Sequence, residues 1–295
     1  MSFALLTPTR HDVYPFIDPR ANLKDAAAGK TVLISGAGSG IGRGIAESFA
    51  LAGAKSLILA ARRTAPLEET KTMIAALVPG CEIHVLGGVD IADEASVDRL
   101  FADLKALPDV VVSNAAVSGA TEKVIDSDPA TWWRDVDINL RGTYLVARAY
   151  LRAVRVASNK PIDGGRLINV SSNASWRYVP GRSSYAASKI ALNNLTEYLD
   201  REEQEAGGTG VRCVAMHPGG VDTEIAGMLP ESIRKMLIDT PALPGGTAVF
   251  LSTRKAGFLM GRYVSSTWDM EELVKLEARI TSEGDLLKSR IVGLA

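Results

Sequence analysis

The chain has 295 residues, 46% hydrophobic and 23% charged, the balance of an ordinary soluble globular protein with enough length to bury a substantial core. A formal net charge of −1 gives no electrostatic footing for nucleic acid or for an anionic membrane. No apolar run reaches membrane-spanning length, and Met1 to Arg10 lacks the basic-then-apolar layout of a secretory leader, so the expected compartment is the cytoplasm.

Residues 1–29 carry three prolines and no clear period, which predicts an extended arm, either packed on the body or mobile. From Lys30 the pattern becomes regular. Strands are expected at 31–35, 56–61, 82–86, 109–113, 166–170 and 211–216. The helices between them fall after the glycine-rich stretch at 36–42, then at 64–78, 93–107, 132–156 and 184–205. Cys81 and Cys213 lie far apart, each expected in a strand (Cys81 just ahead of the 82–86 run), and read as reduced thiols. His11, His84 and His217 have no metal-ligand spacing, and no metal is expected. Strands alternating with long helices predict an α/β fold, a single Rossmann-type doubly wound parallel sheet of about seven strands with helices on both faces. Its ligand crevice lies at the carboxyl ends of the strands. The body runs over 30–267. Within it, 222–244 interrupts the rhythm with Gly227, Pro230, Pro241 and Pro244, as a lid over the crevice or a plain surface insertion. Residues 268–295 form a charged helical extension, with Leu273, Leu276 and Ile280 at helical spacing, expected to serve packing or oligomerisation.

Between the first strand and first helix runs Ser35-Gly36-Ala37-Gly38-Ser39-Gly40-Ile41-Gly42. Glycines at 36, 40 and 42 would let the backbone turn tightly and approach a pyrophosphate seated on the helix N-terminus. A glycine-rich turn without a ligand is the alternative. The spacing is Gly-x-x-x-Gly-x-Gly and not Gly-x-Gly-x-x-Gly. Past the second strand, Arg62 and Arg63 stand where a site for NAD would place an acidic residue on the ribose 2′-hydroxyl. Two guanidinium groups suit a 2′-phosphate, so NADP is expected over NAD, unless the arginines merely approach the next helix through solvent. Asp90 could accept from the adenine amino group, and Asn114-Ala115-Ala116 could line the adenosine ribose.

Tyr185 and Lys189 lie four residues apart, with Ser172 thirteen before the tyrosine. Positions i and i+4 share one helix face, so phenol and ammonium would stand side by side. A free tyrosine has a pKa of about 10, and a neighbouring cation favours the phenolate. Taken alone, the spacing could equally be a surface helix pair.

Together these parts resemble the short-chain dehydrogenase/reductase family, with a flavour of its fungal members. The matches are Gly36-x-x-x-Gly40-Ile41-Gly42, Asn114-Ala115-Ala116, Asn139, Ser172, Tyr185-x-x-x-Lys189 and Pro218-Gly219, in the family's order over residues 30–264. The resemblance implies hydride transfer between NADP(H) and a ketone or secondary alcohol. Tyr185 would be the general acid/base, Lys189 would hold the nicotinamide ribose and depress the phenol, and Ser172 would polarise the substrate oxygen. Asn139 would position a relay water, and Val221 and Thr223 would meet the carboxamide; otherwise Asn139 is a structural polar kink and His217 a strand-end residue. It also implies a homodimer or homotetramer built on long helices. Ala116 replaces the family's usual glycine, Ser35 its threonine, and Ser39 stands where many NADP-preferring members carry a basic residue. The alternatives are a dehydratase or isomerase on the same scaffold, or a cofactor-binding protein without turnover. Ser175, Trp176, Arg177, Tyr178, Val117, Ser118 and the lid around Met228 and Leu229 are expected to bound the substrate pocket.

Overall fold

The computed structural model describes residues 6–7, 9–157, 164–229 and 231–291. Seven strands run parallel in one sheet: β1 (Thr31–Ser35), β2 (Ser56–Ala60), β3 (Glu82–Leu86), β4 (Val110–Ser113), β5 (Arg166–Val170), β6 (Arg212–His217) and β7 (Tyr263–Ser265). Their order is β3-β2-β1-β4-β5-β6-β7. β1 pairs with β2 on one side and β4 on the other, so the winding reverses between β1 and β4 and a crevice opens there.

Alternation sorts the side chains into two cores. Val32, Ile34, Val112, Val214 and Met216 face one layer, while Leu33, Val111, Leu167 and Cys213 face the other. The first layer holds α1 (Gly40–Leu51) and α8 (Ala242–Leu251), which approach closely: a Cβ on Gly44 would meet Pro241 O at 2.4 Å. The second holds α3 (Glu94–Ala102), α5 (Thr143–Ala157) and α6 (Ser183–Glu202). α2 (Ala65–Leu77) flanks the β3 edge, where Glu82 and His84 face solvent as an edge strand permits. Cys213 is buried in β6, whereas Cys81 lies one residue before β3; both are free thiols.

The single helix expected over 132–156 is one rod in three pieces. α4 (Pro129–Val136) passes through a π-helical segment, Asp137–Gly142, into α5. A π segment inserts a residue into the turn, and the usual sequence periodicity does not mark it. The sequence pattern does not mark α8 or β7; α8 is buried from Leu243 to Leu251, so it has no polar face to set a period. Residues 242–244, assigned above to the lid, start this buried helix. The remaining lid carries a 3-10 turn, Glu224–Met228, and a short helix α7 (Glu231–Arg234); Pro230 lies outside the described residues.

Among its described residues the arm is neither extended nor detached. It buries Tyr14, Ile17, Leu23 and Ala27 in the first core layer, and Ala28 bridges to Ala54. Residues 1–5 and 8 lie outside the described residues. The tail forms α9 (Met270–Lys275) and α10 (Glu277–Ser282), with Leu273 and Ile280 fully buried, so the extension packs on the body; its last four residues are not described. No helix of the described residues is long and apolar enough to cross a membrane.

Candidate active site

The crevice at the β1/β4 switch point has a volume of about 460 Å³ and collects most of the residues singled out above. Gly36, Ser39, Gly40, Ile41, Gly42, Arg62, Arg63, Asp90, Asn114, Tyr185, Lys189 and Thr223 all line it. Val221 does not line it and is buried beneath.

The turn after β1 is held by backbone contacts that leave no room for a side chain. Gly36 has φ +69, and a Cβ there would lie 2.9 Å from Ala115 Cα. A Cβ on Gly42 would fall 2.2 Å from Gly36 O. Asn114 braces this turn: its Nδ2 donates to Ser35 O (3.0 Å) and Gly36 O (3.2 Å). Ser35 Oγ accepts from the amides of Asn114 and Ala115, which a serine does as well as a threonine. Arg43, unremarked in the sequence, ties the turn to α2 through Gly38 O (2.6 Å) and Thr70 Oγ1 (3.0 Å). Asp90 accepts from Ala92 N at 3.0 Å and closes its own loop.

Arg62 and Arg63 follow β2 and are both exposed. Arg63 pairs with Glu224 on the lid, Nη2 to Oε2 at 3.0 Å. Glu224 lines the same crevice, and nothing in its sequence position signalled this contact.

At the far end, Lys189 is buried and donates from Nζ to Val170 O at 2.7 Å. Its Nζ lies 5.5 Å from the centre of the Tyr185 ring, so α6 does set the two side by side. Burial lowers the lysine pKa to about 7. The phenol departs from the simple expectation. Burial raises its pKa, and the opposing pulls come from a hydrogen bond with the Ser172 hydroxyl and from the charge of Arg182. A low dielectric disfavours both the ammonium and the phenolate, and this outweighs their proximity.

A hydrogen-bonded scaffold fixes the Ser172 loop. Ser172 O accepts from Ser175 Oγ (2.6 Å), Asn193 Nδ2 donates to Ser175 Oγ (2.9 Å), and Ser171 Oγ reaches Asn193 Oδ1 (2.5 Å). His217 also contributes: its Nδ1 accepts from Asn173 N at 3.2 Å, and burial, with Arg177 assisting, lowers its pKa to about 4. Asn139, fully buried in the π segment, grips Val117 from both sides, accepting from Val117 N and donating to Val117 O, each at 2.8 Å. Its Nδ2 also reaches Ser188 Oγ at 3.2 Å. Asp135 accepts from the amides of Gly119 and Ala120 and from Ser184 Oγ, and Arg182 donates to Ser118 Oγ. Of the expected substrate-pocket residues, Ser175 and Ser118 are buried, Val117 lines the crevice, and Trp176 and Tyr178 are exposed; the Met228 side chain lies outside the described residues. Among the described residues no group of three His, Cys, Asp or Glu is placed to hold a metal.

A parallel sheet with a glycine cradle and a tyrosine–lysine pair at its switch point defines the dinucleotide-binding oxidoreductase class. Residues 30–233 match the family model described as short chain dehydrogenase, and the chain belongs to that family. It is 37% identical over 303 residues to the short chain dehydrogenase mpl6 of Monascus purpureus, covering 98% of this chain and 97% of that one. A 3-oxoacyl-[acyl-carrier protein] reductase from Brucella melitensis with bound NAD is 27% identical, covers 90% of this chain and 96% of its own, and superposes with a TM-score of 0.71. A short chain dehydrogenase from Shigella flexneri complexed with NADP shares the fold at 23% identity and a TM-score of 0.70, over 82% of this chain and 99% of its own.

Proposed function

We propose that this chain is an NADP(H)-dependent reductase or dehydrogenase of a ketone/secondary alcohol pair, with Tyr185 as its general acid and base. The carrying observation is the shared crevice, lined by both the glycine turn and the Tyr185–Lys189 pair, with the Ser172 hydroxyl bonded to the phenol. The glycine positions fit a dinucleotide: their missing Cβ atoms leave backbone amides free to approach a pyrophosphate at the α1 N-terminus. Arg62 and Arg63 favour a 2′-phosphate. Family structures hold NAD as well as NADP, so the arginines carry this choice.

When bound, a nicotinamide would supply the hydride to the carbonyl carbon, or accept it in the reverse direction. Ser172 holds the carbonyl oxygen by its hydroxyl while Tyr185 gives that oxygen its phenolic proton; in the alcohol direction the phenolate takes the proton back. Lys189, with a pKa near neutrality, holds the ribose and hands on the proton. Asn139 holds Val117, which lines the crevice, and bonds to Ser188. Thr223, which lines the crevice, would meet the carboxamide, whereas Val221 lies outside that lining.

Tyr185→Phe with NADPH and a panel of ketones tests the assignment. The expected loss of turnover is about 10²- to 10⁴-fold, with cofactor binding retained. Intact hydride transfer would remove Tyr185 from the chemistry. NADPH should also quench or enhance fluorescence at lower concentration than NADH, and Arg62→Ala should narrow that difference.

A homodimer or homotetramer is proposed through the α4–α6 face. Trp133, Tyr144 and Tyr198 expose their rings together there, an apolar surface of the kind that subunits cover. Sedimentation of the native chain as a monomer would end that reading.

A further inference from the structure

Arg62 and Arg63 are adjacent in sequence but stand in different states. Arg62 has no ion-pair partner among the described residues, whereas Arg63 Nη2 reaches both carboxylate oxygens of Glu224, at 3.3 and 3.0 Å. The pair joins the loop after β2 to the lid after β6, residues 161 positions apart, across the mouth of the cofactor crevice. Both side chains are about two-thirds exposed, 67% and 68%, so packing does not lock them together and a ligand can reach either.

Two features make Glu224 the carboxylate that matters at this place. Of the lid carboxylates only Glu224 lines the crevice; Asp222 is held by Arg234 (3.0 and 2.8 Å), Glu231 by Lys235 (2.8 Å) and Asp239 by His11 (2.6 Å). Thr223, directly before Glu224, is seated on the glycine turn: a Cβ on Gly40 would lie 2.8 Å from Thr223 Cγ2. The Glu224 backbone is therefore held beside the glycine turn, within reach of Arg63.

We infer that Glu224 is a specificity-determining residue of the cofactor site, competing with a 2′-phosphate for Arg63 and so moderating the preference for NADP(H). The inference rests on the proposed use of a 2′-phosphorylated dinucleotide. Arg62 meets the 2′-phosphate at once, while Arg63 joins it only as Glu224 gives way. A cofactor with a bare 2′-hydroxyl leaves the Arg63–Glu224 pair intact and is unaffected by this exchange. Part of the discrimination that two arginines would give is thus held back by one glutamate on the lid.

The test uses the full-length chain and four proteins: native, Glu224→Gln, Arg63→Ala and the double variant. Dissociation constants for NADPH and NADH are read by nicotinamide fluorescence, with melting temperatures confirming that each variant folds. Removing one exposed ion-pair competitor should raise the ratio Kd(NADH)/Kd(NADPH) by about two- to fivefold in Glu224→Gln. The same substitution should change that ratio little in the Arg63→Ala background, and the gain should shrink as salt is raised. A ratio that stays put or falls overturns the inference. So does equal tightening of both cofactors, which would mean that Glu224 acts only on the shared pyrophosphate, and so does a gain that survives loss of Arg63. The NADP reading is judged separately by the native protein's own ratio: a native preference with no response to Glu224→Gln sinks only the inference, and a response without a native preference sinks only that reading.

Discussion

At the Tyr185 corner nearly every polar atom has a partner inside the protein. Lys189 is held by Val170 O, Asn139 by Val117 and Ser188, Ser172 by its own loop, and that loop by Asn193 and His217. At the other end of the crevice, Arg62, Arg63 and Glu224 are exposed and are tied only by one surface ion pair. The buried corner has one arrangement, because each lost partner would leave a desolvated donor or acceptor. The exposed edge has several of similar energy, since such a pair is worth about 0–1 kcal/mol. On the proposed assignment, chemistry lies where the fold determines geometry, and cofactor choice where a few exposed charges can alter it.

The glycine turn joins the two ends and gives the hardest blow to that contrast. Gly42→Ala would place a methyl 2.2 Å from Gly36 O, and neither backbone can swing aside as a side chain would. Overpacking of this kind costs about 1–3 kcal/mol. The melting temperature should fall by several degrees, since about 1 kcal/mol moves a chain of this size by roughly 2–4 °C. The Kd for NADPH should rise by about tenfold or more, as the turn can relax only by moving the amides that meet the pyrophosphate. Binding that survives unchanged would show the cradle to be as adaptable as the exposed edge.

The parts legible in the sequence were those whose physics is local. All six expected strands emerge within one residue, because apolar runs report burial directly, and the helix carrying Tyr185 and Lys189, expected over 184–205, runs from Ser183 to Glu202. The glycine turn is likewise local. What escaped depends on distant partners. The π segment at Asp137–Gly142 follows from Asn139 reaching Val117, which no periodicity encodes. The raised phenol follows from burial by elements far along the chain. Glu224 escaped because its partner is 161 residues away. The arm's docking escaped for the same reason, since Tyr14 gains its meaning from Met270, whose amide donates to the phenol at 2.5 Å.

Lys189 offers a finer probe of the buried corner through pH. Its folded pKa of about 7 lies below the ordinary lysine value of 10.5. Between those values the unfolded chain binds more protons than the folded one, so stability rises with pH over that window. Below pH 7 both states are protonated and the cost of burying the ammonium is fully present. Lys189→Met removes this dependence, at the separate and pH-independent cost of an unpaired Val170 carbonyl. Denaturant melts of both proteins from pH 6.5 to 9.5 should therefore show the native protein gaining on the variant as pH rises, by at most about 1.4 kcal/mol per unit. Parallel profiles would mean that the ammonium is solvated after all and that the corner is less closed than its hydrogen bonds imply.

The smallest effect is expected at Arg10, an exposed-edge type of contact lying outside the family-matched residues 30–233. Arg10 Nε donates to Asp269 at 3.0 Å, its guanidinium lies 4.1 Å from the centre of the Tyr14 ring, and Asp269 caps α9 through Glu271 N at 2.8 Å. Burial works to raise the Asp269 carboxyl, but the Arg10 hydrogen bond and the Glu271 and Glu272 amides outweigh it, leaving the pKa lowered. A depressed carboxyl contributes stability that is present above its unfolded pKa and is lost as pH falls through the folded one. Arg10→Ala should thus cost about 1 kcal/mol or less at pH 7, and the gap to the native protein should close as melts are taken down through the carboxylate range. A gap that holds constant with pH would assign the contact to packing of the guanidinium on Tyr14. The arm would then be secured as the Tyr185 corner is, by burial, and the division between a fixed interior and an adjustable charged rim would not extend to it.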